Sequence, residues 1–276
     1  MDHAPFAGDA GPRPSSGRAA HASMRATLVM RAGAMGLFMM TGCARTTAPA
    51  TARPSVAANR VSVAVEQDFG TVYGRDACSQ EAQLTGGFTC FRANGTQYHG
   101  NPLTQSGSNP TGVRPATTRL LFGYDRVLFD NWTLGARGGF VLRGGGPKPD
   151  GAEAPAFLPF HGELRAAYWF GTTPFAQTGF RAGLFVAGGI AQVDSVFRVR
   201  VEEDPTKPPP AAQPTNPAVQ TLDVYKKVGT GFLGGGGTVA CALGRASTLF
   251  LTLKIMQHFP STGTVLAPEI GYEHGF

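Results

Sequence analysis

From residue 60 onward apolar side chains recur at every second position, which restricts this part of the chain to extended strands with one face in an apolar medium and the other in a polar one. Val61, Val63, Val65 and Phe69 oppose Ser62, Ala64, Glu66 and Asp68. Leu120, Phe122 and Tyr124 oppose Arg119, Gly123 and Asp125, while Trp132, Leu134, Ala136, Phe140 and Leu142 oppose Thr133, Arg137 and Arg143. Leu164, Ala166, Tyr168 and Phe170 oppose His161, Glu163 and Arg165. Two segments, near 180–202 and 220–243, alternate less cleanly, because Gly188, Gly189 and the glycine run at 234–237 blur their faces. That run has no Lys-Ser/Thr ending and no following helix, so it reads as strand rather than as a phosphate loop. The rule returns at the end of the chain: Leu249, Leu251, Leu253 and Ile255 against Thr252, Lys254, Met256 and His258, then Leu266, Pro268, Ile270, Tyr272 and Phe276 against Glu269, Gly271 and Glu273.

Connections between these segments alternate in length. Those at about 75–115, 144–158 and 203–220 are long, those near 130–131, 171–178 and 244–247 are shorter, and the last, 260–263, is short. With 38 Gly and 21 Pro, long helices are excluded. The expected fold is all-β: an antiparallel up-and-down transmembrane β-barrel of eight strands over 60–276, with long loops outside and short turns inside. An even strand count puts both termini on one side, expected to be periplasmic. Phe129, Trp132, Tyr168, Trp169, Phe170, Phe175, Phe180, Phe250, Tyr272 and Phe276 gather toward one rim, as an interfacial girdle would.

The formal charge of +6 does not indicate a nucleic-acid partner. Residues 1–60 hold seven Arg and two Asp, which leaves 17 basic and 16 acidic residues in the remainder. The N-terminal part instead reads as export machinery. Met24 to Arg31 form a basic stretch and 32–40 an apolar one too short to span a bilayer, so 1–50 is taken as a leader that starts at Met24, and 51–59 as a flexible linker. Two cleavage readings stand: acylation of Cys43 in the lipoprotein-like box Met40-Thr41-Gly42-Cys43, or ordinary cleavage after Ala48-Pro49-Ala50. Cys78 and Cys90 lie in one polar, Gly-rich stretch and are expected to be disulfide-bonded in an oxidising compartment. Cys241 has no evident partner and reads as a small packing residue.

The polar faces place Glu66, Asp68, Arg119, Asp125, Arg137, Arg143, Glu163, Arg165, Lys254, Glu269 and Glu273 inside the barrel. An eight-stranded barrel is only wide enough to be filled by side chains, so these charges are expected to neutralise one another as a salt-bridged plug rather than line a pore. If the last hairpin closes around 260–263, Lys254 stands opposite Glu269. No catalytic residue, metal site or cofactor site emerges. His161 with Glu163 and His258 with Glu269 could be taken as acid/base pairs, but neither has a serine beside it, and the carboxylates have Arg and Lys partners to satisfy.

The alternating strands, the run Thr117-Thr118-Arg119-Leu120-Leu121-Phe122-Gly123-Tyr124, the charged lumen and the terminal Gly275-Phe276 resemble the small outer-membrane β-barrel superfamily that includes OmpA-like and OmpW-like barrels. The resemblance covers about 60–276. It implies an outer-membrane location, contact with outer-membrane lipid, and recognition by the barrel-assembly machinery through Ile270, Tyr272 and Phe276, with His274 departing from the apolar rule. No peptidoglycan-binding domain follows the barrel, so an anchoring role is not implied. The leading functional reading is a non-enzymatic integral barrel with a structural or surface-interaction role, its exposed parts being the disulfide-closed first loop and the Pro-rich loop at 205–217. Alternatives are a narrow channel for small or apolar solutes, an outer-membrane enzyme acting on lipid, and a soluble β-barrel lipoprotein held by Cys43.

Overall fold

A computed structural model of the chain describes residues 57–73, 76–100, 102–106, 112–150, 156–176, 178–204, 206, 218–244, 246–260 and 262–276. The leader with Met24 and Cys43, the linker up to residue 56, and the Pro-rich loop apart from residue 206 lie outside these residues. In chain order the elements are β1 (Asn59–Val72), α1 (Gln80–Leu84), β2 (Phe88–Arg92), β3 (Pro102–Ser106), β4 (Gly112–Leu128), β5 (Trp132–Arg143), β6 (Phe160–Trp169), β7 (Gly179–Ile190), β8 (Val193–Glu203), β9 (Val219–Val228), β10 (Gly231–Ala242), β11 (Ser247–Phe259) and β12 (Gly263–Gly275).

Eight of these strands close into an antiparallel barrel in the order β1-β12-β11-β10-β7-β6-β5-β4, and the other four form a separate sheet in the order β2-β9-β8-β3. The barrel is the expected one; the second sheet is not. The segments near 180–202 and 220–243 are not single strands. Each breaks in two at residues 191–192 and 229–230, where the chain leaves the wall, and Gly229 makes the second bend with φ +67 and its Cα packed on the His258 ring, leaving no space for a Cβ. Likewise the stretch at 75–115 is not a plain loop: it carries α1, β2 and β3.

The two sheets meet in a defined way. β2 and β3 come from the insertion between β1 and β4, and they flank the β8/β9 hairpin, which is the insertion between β7 and β10. In the ring order the β1/β4 seam and the β7/β10 seam are diametrically opposite, so the sheet is built from two sides of the barrel mouth and caps it. β1 and β4, with 14 and 17 residues the longest strands, project beyond the wall to meet β8, and Ser195 Oγ stands 2.6 Å from where a Cβ on Gly70 would be. The cap has its own core of Val72, Phe88, Tyr98, Phe197, Val199 and Leu222, among others, around Cys78 and Cys90.

Cys78 and Cys90 are disulfide-bonded. Closing a ring of this length stabilises the cap by about 3 kcal/mol. Unreduced, denatured protein is expected to show no alkylation at either residue by mass spectrometry; recovery of both as alkylated thiols would refute the bond. Cys241 is buried on β10, as a packing residue would be, and is not without a partner.

On the barrel the period of two resolves into faces. Leu164, Leu184, Leu233 and Leu253 are 69%, 57%, 67% and 51% exposed on the outside, whereas Glu66, Arg119, Lys254 and Glu269 are buried inside. A soluble barrel would invert that sign, since a continuous apolar exterior of this extent is not tolerated in water. At a rise of about 3.4 Å per residue and a tilt of about 40°, the strand from Trp132 to Leu142 covers roughly 26 Å of height, against about 25 Å for a membrane-embedded band. The aromatics do not gather on one rim alone: Phe140, Phe160 and Phe259 ring the mouth end, opposite Tyr124, Trp132, Tyr168 and Tyr272 at the end where β1 starts and β12 finishes.

Candidate functional site: the lumen and its cap

Inward parity on β1, β4, β5, β6, β7, β11 and β12 brings twelve formally charged side chains into the lumen: Arg60, Arg119, Arg137, Arg165, Arg181 and Lys254 against Glu66, Asp68, Asp125, Glu163, Glu269 and Glu273. Six cations face six anions, with His161 and His258 among them. Toward the mouth, Arg119 contacts Asp68 at 2.5 Å and Glu66 at 3.3 Å, and Lys254 bridges Glu66 at 2.7 Å and Glu163 at 2.6 Å. His161 Nε2 lies 3.2 Å from Glu163, and the His161 and His258 rings flank Phe232 with centroids 5.5 and 5.8 Å away. Lower down, Arg137 pairs with Glu269, and Glu273 is held by Arg60 and by Arg181, the latter at 3.0 Å. The Arg165 guanidinium lies 3.9 Å over the Phe185 ring and donates to Thr238 Oγ1 at 2.8 Å.

Two sequence expectations are corrected here. Lys254 does not face Glu269: it pairs with Ala267, and Glu269 with Thr252. The pairing register is shifted by two residues from the one supposed, a slip that keeps every side chain on its face but changes its neighbour. Arg143 is outside the network and exposed, because a register shift between Thr118 and Arg119 releases the end of β5 at the mouth rim. Arg60 and Arg181 were missed: Arg60 shares parity with the recognised inward set Ser62, Ala64 and Glu66, whereas Arg181 is on β7, whose inward face with Phe185 and Ala187 the sequence reading left unassigned.

Both ends of the lumen are closed. At the mouth the neck of the β8/β9 hairpin crosses the opening, where Ala191, Val193 and Val228 pack on Phe232, Met256, Val265 and Ala267. Arg119 Nη2 donates to Gln192 O at 2.7 Å, and Asp194 N donates to Thr117 Oγ1 at 3.0 Å, fastening the neck to the opposite wall. At the other end Phe175, from the β6/β7 connection, tucks against Trp169 and beneath Arg181, whose guanidinium is 4.8 Å from its ring. In the lower lumen a cavity of about 10 Å³, lined by Asp125, Arg137, Arg165, Arg181 and Glu273 among others, is at the threshold for a single water.

The 144–150 segment clasps the cap from the side. Gly146 N donates to Asp194 Oδ2 at 2.5 Å, Asp150 N donates to Gln97 Oε1 at 2.6 Å, and His99 lies 3.4 Å from Asp150. Burial pushes the Asp194 carboxyl up to about 6, against the opposing pull of the Gly146 N–H and Lys227. Because its folded pKa lies above its unfolded value, this group disfavours the fold above pH 6 and the penalty disappears as pH falls from about 6 to about 4. Asp194→Asn is therefore expected to stabilise the cap at pH 7.5 by on the order of 2 kcal/mol and to flatten that pH dependence, read by hydrogen exchange of β8. Exchange rates that depend on pH identically in both proteins, after correction for intrinsic exchange, would refute this assignment.

A closed barrel with a lipid-compatible exterior, a charged interior and two girdles defines a small membrane-spanning β-barrel. No family model matches the chain, and no curated protein matches its sequence. Among solved structures it is similar to Neisserial surface protein A, with a TM-score of 0.39 at 9% identity over 80% of this chain and 99% of that one. It is also similar to the N-terminal β-barrel domain of Pseudomonas aeruginosa OprF (TM-score 0.32, 11% identity, 77% and 96% covered) and to Ail, the attachment invasion locus protein of Yersinia pestis (0.31, 7%, 79% and 97%).

Proposed function

We propose that the chain is an exported, integral outer-membrane barrel that serves as a rigid mount for its cap, with a non-enzymatic structural or surface-interaction role. The observation that carries this reading is the hairpin neck across the mouth: a lumen roofed by buried Ala191, Val193 and Val228, and filled by balanced ion pairs, is built as a plug. Under this reading both termini are periplasmic and the cap faces outward, 1–50 is removed or lipidated as a leader, and 51–59 is a linker. Outer-membrane lipid covers the wall, and Ile270, Tyr272 and Phe276, all exposed on the outer face of the last strand, form the signal for the barrel-assembly machinery. The His161–Glu163 contact is part of the ion-pair network rather than an acid/base pair, since Glu163 is shared with Lys254.

Planar-bilayer recording of refolded protein tests the plug. No discrete conductance steps are expected in 1 M KCl. Steady channel openings in the intact protein would favour the narrow-channel alternative instead.

A further inference from the structure

We propose that His258 makes the closure of the mouth acid-labile: a proton on its ring lifts the neck of the β8/β9 hairpin off the wall. The side chain is fully buried, and neither Nδ1 nor Nε2 has a hydrogen-bond partner. The Phe232 ring lies 5.8 Å from its centroid, and Gly229 of the neck packs directly on its Nδ1 side. Protonation turns both nitrogens into donors with no acceptor in reach.

The charges around the ring sharpen the conflict. Those that face it are Arg119 from β4, His161 from β6, Lys254 from β11 and Glu66 from β1. Glu66 is the anion of that set, and it is already held by Arg119 at 3.3 Å and by Lys254 at 2.7 Å. Asp68 is taken by Arg119, and Glu163 by Lys254 and by His161, so a proton arriving at His161 meets a carboxylate. His258 has no such partner, and its proton is accommodated only where water reaches the ring.

The neck is the part that gives way, because much of its fastening passes through one residue. Gln192 accepts at its backbone carbonyl from Arg119 Nη2 at 2.7 Å, donates from Nε2 to Gly229 O at 3.1 Å, and accepts at Oε1 from Leu158 N at 2.7 Å. It thereby joins both legs of the hairpin to the wall and to the β5/β6 connection, and a displaced Gly229 loosens all three bonds. The strand that carries His258 is held instead by continuous ladders to β10 and β12. A hydrated histidine takes up its proton near pH 6.5, so below about that value each pH unit favours the raised neck by up to about tenfold.

This inference rests on the neck closing the mouth, and hydrogen exchange of the refolded full-length protein in micelles tests both. The Asp194→Asn background is used, since that carboxyl acts on the cap with the opposite sign over an overlapping pH range. Between pH 7.5 and 5.5, after correction for intrinsic exchange, amides at 191–195 and 228–230 should lose protection about tenfold while those of β5 and β6 keep theirs. His258→Gln should abolish the dependence. Neck amides already unprotected at pH 7.5 would sink the plug and the switch together. Protection independent of pH, or a dependence that survives in His258→Gln, would leave the plug standing and overturn the switch. Should His258→Gln fail to fold, His161→Gln decides in its place: acid loss at the neck that persists there upholds the proposal, and loss that vanishes assigns the effect to His161 and rejects it.

Discussion

Lys254→Leu is expected to destabilise the barrel by about 3–5 kcal/mol, the cost of removing one member of a buried ion-pair cluster. The Lys254 ammonium holds Glu66 and Glu163 across the lumen, and its loss leaves Glu66 to Arg119, which Asp68 already shares, and Glu163 to the His161 contact. Urea unfolding of the refolded protein in micelles measures the loss. Adding Glu163→Gln should recover part of it, because the stranded charge and not the missing volume is the origin. A double variant no more stable than Lys254→Leu alone would show that the carboxylates are not what suffers.

Leu253→Arg should cost about 2–4 kcal/mol, the depth-dependent penalty for a guanidinium on the lipid face near the bilayer midplane. Leu253 is halfway along β11, between Gly237 and Pro268 on the neighbouring strands, and is half exposed on the outer wall. Thr252→Ser, one residue away on the lumen face, is the matched control and should be close to neutral. Equal tolerance of both substitutions in lipid vesicles would mean that this face does not meet hydrocarbon, and the membrane reading would fall with it.

Why some of this was legible in the sequence and some was not follows from the range of each signal. Parity is local to a strand, so the inward sets Glu66 and Asp68, Arg119 and Asp125, Glu163 and Arg165, and Glu269 and Glu273 could be read directly. Register depends on how a turn closes, and the two-residue difference at 260–262 was enough to give Lys254 the wrong partner while leaving its face correct. Contacts across the lumen join strands that are not neighbours, as Lys254 on β11 does Glu163 on β6, and no spacing rule encodes them. Arg60 and Arg181 obeyed a rule that was available, but one sits at the first turn of β1 and the other in a glycine-rich strand whose alternation looked blurred. The cap was hidden for a different reason. Its strands β2 and β3 have five residues each, too few to establish a period, and their partners lie 94 to 138 residues away.

The interleaving of the two insertions bears on how such a chain could drift over time. Loops on the rim of a barrel ordinarily gain and lose residues freely, since each is tied only to its own pair of strands. Here β9 is hydrogen-bonded to β2 and β8 to β3, so the segment between β1 and β4 and the segment between β7 and β10 share one ladder. A residue added within a strand of this sheet shifts its register by one and turns that strand's own buried row toward solvent, the row being Phe197, Val199 and Val201 where the strand is β8. Lengths in these two distant stretches are therefore expected to change only in concert. The connection between β11 and β12 joins two strands of the barrel alone and is outside that sheet, so variation in length should concentrate there.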